Sequence, residues 1–311
     1  MNLKEFLKLV EIQTKVASIF PMIIGFLYSR LSFGSFRGFA SLLFFLSLLS
    51  LDMGTTALNH YSDYKKEKIG KGYGFEEHNP LSAHGLKQSK VRAVIVLLFL
   101  LSFALGLLLV GQTDYMVLFL GLISGLIAIV YSKGPIPISH TPFGEIVSGS
   151  LMGGVIFFIA VYIQNPQENW IFYEGGGRIS LQLDVLIQII FVSLPLVLGI
   201  ANIMLANNIC DMKEDIGNGR HTLVSYIGKE RALMVFGISQ ILILLLLLIQ
   251  MLSELFPWTG MLVFLSAPLL YINTKRFIQS PTKDKTFVSS VKNFVLVASL
   301  MVLALLGALL W

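Results

Sequence analysis

The sequence predicts an all-α polytopic membrane protein with about nine transmembrane helices. Three observations carry that prediction. Apolar residues make up 55% of the 311-residue chain and charged residues only 13%, against roughly 25% charged in a soluble domain. Apolar runs of the length a span needs, about 20 residues, recur along the whole chain, which argues for a single membrane domain over 1–311 rather than two soluble ones. Lys and Arg fall almost wholly in alternate connections between those runs.

The runs lie at about 12–31, 39–61, 92–111, 115–131, 144–164, 184–208, 232–252, 258–273 and 291–310. With the N-terminus in the cytoplasm and strict alternation, 20 of the 23 Lys and Arg residues fall inside. Only Arg30, Arg37 and Arg178 fall outside. This predicts a multi-pass protein of the cell membrane, with its C-terminus outside. The net charge of +5 is read as this orientation signal and not as a nucleic-acid surface, because the basic residues sit between apolar runs. Cys210 is the single cysteine, which excludes an internal disulfide and a cysteine-rich metal site. The mixed-charge stretch Asn2 to Lys15 runs straight into the first apolar run and no small-residue cleavage site follows it, so no cleavable signal peptide is expected.

Two polar clusters stand at the inner ends of the second and sixth runs. The first reads Asn59-His-Tyr-Ser-Asp63-Tyr-Lys-Lys-Glu67 and the second Asn207-Asn-Ile-Cys-Asp211-Met-Lys-Glu-Asp215. Both are Asn-x3-Asp-x3-acid. On a helix, steps of four residues keep the three side chains on one face, drifting by about 40° per step. Their placement in two parts of the chain suggests a weak internal repeat. Clustered carboxylates repel one another unless a cation is present. Mg²⁺ takes oxygen ligands and typically uses one or two carboxylates together with phosphates and water. Two facing clusters therefore suit Mg²⁺ ions bridged by a diphosphate. Lys65, Lys66 and Lys68 in the first cluster, and Lys213 and Arg220 at the second, suit a polyanion, although each is equally well read as an inside-loop base. Acids at a helix end are commonly just solvated; the same spacing twice on one membrane side argues against that here.

Other polar residues are weaker candidates. Asp52 lies on nearly the same helix face as Asp63; its alternative is to pair with Lys15 or a hydroxyl of a neighbouring helix. Glu145 opens the fifth run, where it shapes a cavity mouth or simply begins a helix, a position that favours acids. The five histidines form no spaced metal set, and only His60 lies inside a cluster. Residues 70–86, with Asn79-Pro80, read as a flexible loop and a candidate lid. Tyr131, at the end of the fourth run, reads by itself as an interface aromatic.

Taken together, Asn59–Glu67, Asn207–Asp215 with its tail Arg220-His-Thr-Leu, and Tyr131-Ser-Lys-Gly-Pro-Ile-Pro followed by Gly144-Glu145 resemble the UbiA superfamily of intramembrane aromatic prenyltransferases. Within it they are most like the 1,4-dihydroxy-2-naphthoate polyprenyltransferase branch of menaquinone synthesis. Thr14 and Pro21 match that pattern too. The resemblance spans nearly the whole chain. It implies a helical bundle around a central cavity and Mg²⁺-dependent transfer of a prenyl chain from a polyprenyl diphosphate to an aromatic acceptor, giving demethylmenaquinone with that naphthoate. It implies that Asp63, Glu67, Asp211 and Asp215 hold the metal. Asn59, Asn207, Lys65, Lys66, Lys133, Lys213 and Arg220 would then contact the diphosphate. Tyr131 would face the reacting centre, and with Asn59, Asp63 and Asp211 would form the catalytic set. An intramembrane cavity would shield the allylic cation from water, and Tyr131 would stabilise it through its ring face.

The chain departs from the pattern at three places. Asn59-His60 stands where the family has Asn-Asp, Lys65-Lys66-Glu67 where the branch has Lys-Lys-Gly, and Glu11-Ile12-Gln13-Thr14 where the family has Arg-Pro-x-Thr. Sister acceptors, namely hydroxybenzoate, haem or a glycerol phosphate, share most of the motif wording. A transporter is disfavoured, because the acids gather at one membrane face and no pair of spans is broken by Gly and Pro.

Overall fold

The computed structural model describes residues 1–68, 79–84, 86–132, 136–166, 170–175 and 178–311; the side chains of 66–68, 83, 84, 171–175 and 178–180 lie outside that description. Among the described residues eight helices are long and apolar enough to cross a membrane. The chain opens with a short helix, α1 (Leu3–Leu9), closed at its start by a reciprocal cap: Asn2 Oδ1 accepts from Glu5 N–H at 2.8 Å, and Glu5 accepts from Asn2 N–H at 2.9 Å. Leu9 and Val10 bury its apolar side. Glu11 then adopts a left-handed backbone, φ 46°, which turns the chain through a 3₁₀ stretch (Ile12–Lys15) into α2 (Val16–Phe33).

The spans that follow are α3 (Gly38–Lys68), α5 (Gln88–Gln112), α6 (Tyr115–Ser132), α7 (Gly144–Tyr162), α8 (Leu183–Gly217), α10 (Lys229–Leu252) and α12 (Val288–Leu309), with short α4 (Pro80–His84) and α9 (Leu223–Ile227) between them. The helices α3 and α8 run past the predicted ends of their apolar runs at 61 and 208. Both acidic clusters therefore sit within helices that continue beyond the apolar segment, where Lys and Glu remain good helix formers.

The bundle packs on small residues, as expected where lipid supplies no hydrophobic drive between helices. A side-chain carbon added at Gly149 or Gly153 would stand 2.5 Å from the Val197 backbone, so α7 lies directly on α8. Gly25 likewise sets α2 against α7, where an added carbon would meet Ala160 at 2.7 Å. Between Gly149 and Ile156 the α7 backbone widens into a π turn (Ser150–Val155), a distortion common at functional sites. The shared core lies where α2, α7, α8 and α12 meet, around Tyr28, Phe157, Leu196 and Met301. On α5 and α10, Leu97, Leu100, Ile241 and Leu245 are exposed, as lipid-facing side chains are.

Two expectations need adjustment. The eighth predicted run is not one α-helix: it is a 3₁₀ segment (Trp258–Ser266) joined to the 13-residue α11 (Ala267–Gln279). Pro268, at the start of α11, has no N–H to donate into a continuous helix. The two parts together are about 37 Å long, enough to cross the bilayer core. The loop 165–183 is not purely irregular, because Ile171–Gly175 and Arg178–Leu181 pair as a short antiparallel hairpin. The helical prediction otherwise holds.

Candidate functional site

A cavity of about 780 Å³ opens between α2, α3, α5, α6, α7 and α8, within the usual size of ligand pockets. Most of its wall is apolar: Phe44, Leu48, Phe103, Leu118, Met152 and Ile200 are typical. At one end the wall turns polar with Glu11, Lys15, Asp52, Thr56, Asn59 and Tyr131. The shape is thus a greasy chamber with a charged mouth.

Two of the charges are spent on one another. Lys15 is only 2% exposed, and its Nζ donates to Asp52 Oδ1 at 2.6 Å and to Thr56 Oγ1 at 2.7 Å. Ser18 Oγ donates to Asp52 Oδ2 at 2.6 Å. Both ions are satisfied, which is the condition for a buried pair to persist. The pair ties the start of α2 to the middle of α3, and it is the Lys15 alternative raised for Asp52.

Further along α3, Asn59 reaches the cavity and Asp63 follows one helical turn later, half-buried. Lys65 is exposed, its ammonium 5.0 Å from the centroid of the Tyr61 ring. Lys66 and Glu67 belong to the last turn of α3, but their side chains lie outside the described residues, as does Lys133 altogether. His60 Nε2 lies 3.2 Å from Glu11 Oε1. Two of the three departures from the family pattern therefore touch: where the pattern has Arg and Asp, this chain has an acid and a histidine. The His60 ring holds the Glu11 carboxyl below the usual carboxylate range, against the opposing effect of burial, and Lys15 and Lys283 add to it. Most of the candidate lid (residues 70–78 and 85) lies outside the described residues. Within its described part, Asn79 Nδ2 donates to His60 O at 2.8 Å.

The α8 cluster is more enclosed. Asn207 Nδ2 donates to Asp211 Oδ2 at 3.1 Å. Lys283, from the loop between α11 and α12, donates to Asn207 Oδ1 and lies 2.5 Å from Asp211 Oδ2. Asp215 is buried. After it, Gly219 takes φ 69° and folds the chain back, so that Arg220 N–H donates to Asp215 O at 2.8 Å and its guanidinium lies 3.3 Å from Asp215 Oδ1. His221 N–H donates to His140 O at 3.1 Å, which joins this tail to the segment after Tyr131. Lys213 is exposed; two residues from both Asp211 and Asp215, it stands about 200° around the helix from each. The structure does not bring it beside the row.

Tyr131 lines the cavity with its hydroxyl buried, flanked by Ser148 and Glu145 and within the field of Arg220. Glu145 is buried and accepts from Asn208 Nδ2 at 2.8 Å. Sequence reasoning placed neither this bond nor Lys283. The partners are far apart in the chain, and Lys283 reads there as one more inside-loop base.

Mg²⁺ fits this donor set. The available ligands are all oxygens. Asp215 Oδ2 is buried with no partner among the described residues. Asn207 Oδ1 and Asp211 Oδ2 already converge on one cation, the Lys283 ammonium. Among the described residues no three acids, histidines or cysteines gather into a closed metal cage. Two open rows are the arrangement expected of a metal that completes its shell with phosphate and water.

Comparison with known proteins agrees with this reading. The model of the UbiA prenyltransferase family matches residues 18–300. The chain is 28% identical to 1,4-dihydroxy-2-naphthoate octaprenyltransferase of Bacillus subtilis, over 88% of this chain and 82% of that protein. It is 24% identical to digeranylgeranylglyceryl phosphate synthase of Saccharolobus solfataricus, over 93% of each. Among solved structures, a UbiA homolog from Archaeoglobus fulgidus bound to DMAPP and Mg²⁺ superposes with a TM-score of 0.64 at 14% identity, covering 98% of both chains. An apo UbiA homolog from Aeropyrum pernix K1 gives 0.68 at 15% identity, covering 94% of this chain and 96% of that one.

Proposed function

We propose a function from one premise: the chain belongs to the UbiA prenyltransferase family and is a multi-pass membrane prenyltransferase. Its reaction is Mg²⁺-dependent transfer of a polyprenyl group from polyprenyl diphosphate to 1,4-dihydroxy-2-naphthoate, giving demethylmenaquinol, the reduced form of demethylmenaquinone. One observation carries the donor half: of two Asn-x3-Asp rows, the α3 row begins at Asn59 in the charged end of an apolar cavity, and the α8 row begins three residues beyond the cavity-lining Met204. The acceptor half rests on the likeness to the B. subtilis naphthoate enzyme and on the motif beginning at Tyr131.

In this reading Asp63, Glu67, Asp211 and Asp215 hold Mg²⁺, which when bound neutralises the departing diphosphate. Asn59, Asn207, Lys65, Lys66, Lys133 and Arg220 bind the diphosphate oxygens, Lys213, standing away from the row, takes no part, and Asn59, Asp63 and Asp211 also orient the diphosphate for cleavage. The C1–O bond of the donor breaks and diphosphate leaves with the electron pair. The apolar wall receives the prenyl tail and keeps water from C1. Tyr131 offers its ring face to the allylic cation. A ring carbon of the acceptor forms the new C–C bond, and aromaticity returns by loss of CO₂ when that carbon carries the carboxylate.

Residues 1–311 act as one domain. The N-terminus and motif loops face the cytoplasm and the C-terminus lies outside, a reading that the Lys/Arg partition supports.

The test is purified protein with a polyprenyl diphosphate, Mg²⁺ and each acceptor in turn, products read by mass spectrometry. Demethylmenaquinol, or the demethylmenaquinone that air makes from it, formed only with the naphthoate supports the reading. Product with hydroxybenzoate or a prenylated glycerol phosphate, and none with the naphthoate, overturns the acceptor and keeps the reaction class.

A further inference from the structure

The loop at 280–287 carries none of the recognised motifs, yet it is built to hold one side chain in place. Thr286 is buried; its hydroxyl donates to Ser280 O at 2.6 Å and accepts from Thr282 N–H at 2.8 Å. Thr286 and Phe287 both donate their N–H to Thr282 O, at 3.1 and 3.0 Å. This knot sends Lys283 across to α8, where it lies 5.3 Å from the Phe287 ring centroid and bonds Asn207 Oδ1 and Asp211 Oδ2.

Those two oxygens are part of what the second row has to give a divalent cation, beside Asp215 Oδ2, which is buried with no partner among the described residues. The Asn207 amide N–H is already committed to Asp211, so the Asn207 carbonyl is its remaining offer, and Lys283 holds it. An ammonium and a divalent ion drawn to the same two oxygens repel each other. The Lys283 side chain is 39% exposed, and a lysine has a flexible stem and three donors. It can therefore be displaced without leaving the site.

We propose that Lys283 competes with the divalent cation for Asn207 and Asp211, and that when metal and diphosphate arrive together its ammonium moves onto the diphosphate. The row is then closed to a cation alone and open to a cation that brings its phosphates. Because linkage is reciprocal, diphosphate must strengthen metal binding by the same factor that metal strengthens diphosphate binding, and Lys283 supplies part of that factor. The proposal rests on the reading of Asn207–Asp215 as a metal–diphosphate site.

The experiment uses the full-length protein in detergent, with Mn²⁺ as a paramagnetic probe followed by electron paramagnetic resonance, alone and with inorganic pyrophosphate. For K283M, Mn²⁺ alone should bind about fivefold tighter, the scale of one partly exposed ion pair. Pyrophosphate with Mn²⁺ should bind about fivefold weaker. K283R should keep the coupling between the two ligands. Unchanged binding in both arms of K283M overturns the proposal, as does weaker Mn²⁺ binding in both, which would make Lys283 a mere prop for the row. Should D211N bind Mn²⁺ and pyrophosphate as the wild type does, the site assignment itself fails; intact wild-type coupling with an inert K283M sinks only the role of Lys283.

Discussion

The row on α3 and the row on α8 carry Asn and Asp at the same spacing, yet the side chains facing them come from unrelated parts of the chain. Beside the α3 row stand Glu11 and His60, an acid and a histidine in contact, with the Lys15–Asp52 pair two turns deeper. Beside the α8 row stand two cations, Lys283 on Asp211 and Arg220 on Asp215. The repeat therefore duplicates a helix face without duplicating its surroundings. The N-terminal turn and the 280–287 loop, neither of them repeated, make the two rows unlike.

The buried pair beneath the α3 row gives the largest expected effect. K15M leaves Asp52 charged in a site with little water and should cost about 3–5 kcal/mol, read as a lowered midpoint of thermal unfolding in detergent. The double variant K15M/D52L should recover most of that loss, because replacing both ions removes the stranded charge. A double variant as unstable as K15M would mean that the pair is needed for more than mutual satisfaction.

Next come the rows themselves. D63N and D211N keep size and helix propensity while removing one metal-binding charge each. Each should lower turnover by about a hundredfold or more, the scale of losing one electrostatic partner of the departing group. The comparison sharpens in the metal dependence. D211N also frees Lys283 from the α8 row, so D211N/K283M should shift the Mg²⁺ requirement further than D211N does. Equal shifts would show that Lys283 does not act through that row. The packing between α7 and α8 offers a control away from charge. G153A forces a carbon against the Val197 backbone and should cost about 1–3 kcal/mol of stability, with a lower melting midpoint, because the clash is with main chain that has nowhere to move.

How much of this was legible beforehand follows from the range over which each signal acts. Spans are written locally, so hydropathy placed their cores. It erred where backbone chemistry intervened: at Pro268, which splits one run, and at the polar ends of α3 and α8, where helix continues after hydrophobicity stops. The two rows were visible because four-residue spacing is a local pattern on one helix. Lys283 was not, because nothing within its own loop says that it reaches a helix more than seventy residues earlier in the chain. The Glu145–Asn208 bond is of the same kind, joining α7 to α8 across 63 positions. The departures at Glu11 and His60 were each visible in sequence; only their contact shows that they form one pair.

That pair yields the smallest predicted effect and the cleanest test of the α3 side. E11R alone sets a guanidinium against His60, with Lys15 and Lys283 already acting on that position. H60D alone sets a second carboxylate against Glu11. Each should lose donor affinity or stability modestly, by less than about 1 kcal/mol for a pair this open to solvent. E11R/H60D sets opposite charges in the family's order and should recover both losses, so the double-mutant cycle should show a positive coupling. The left-handed backbone at position 11 does not confound the cycle, since neither Glu nor Arg is glycine and the strain is common to all four proteins. The same pair sets an acid limit. The folded Glu11 carboxyl sits below its ordinary value of 4.5. Its contribution is therefore fully present above about pH 4.5 and is lost as pH falls through the lowered folded value. E11Q, which has no carboxyl to protonate, should show a flatter stability profile over that acid range. A profile identical to the wild type's would mean that the Glu11–His60 contact contributes nothing, and that the two departures arose separately.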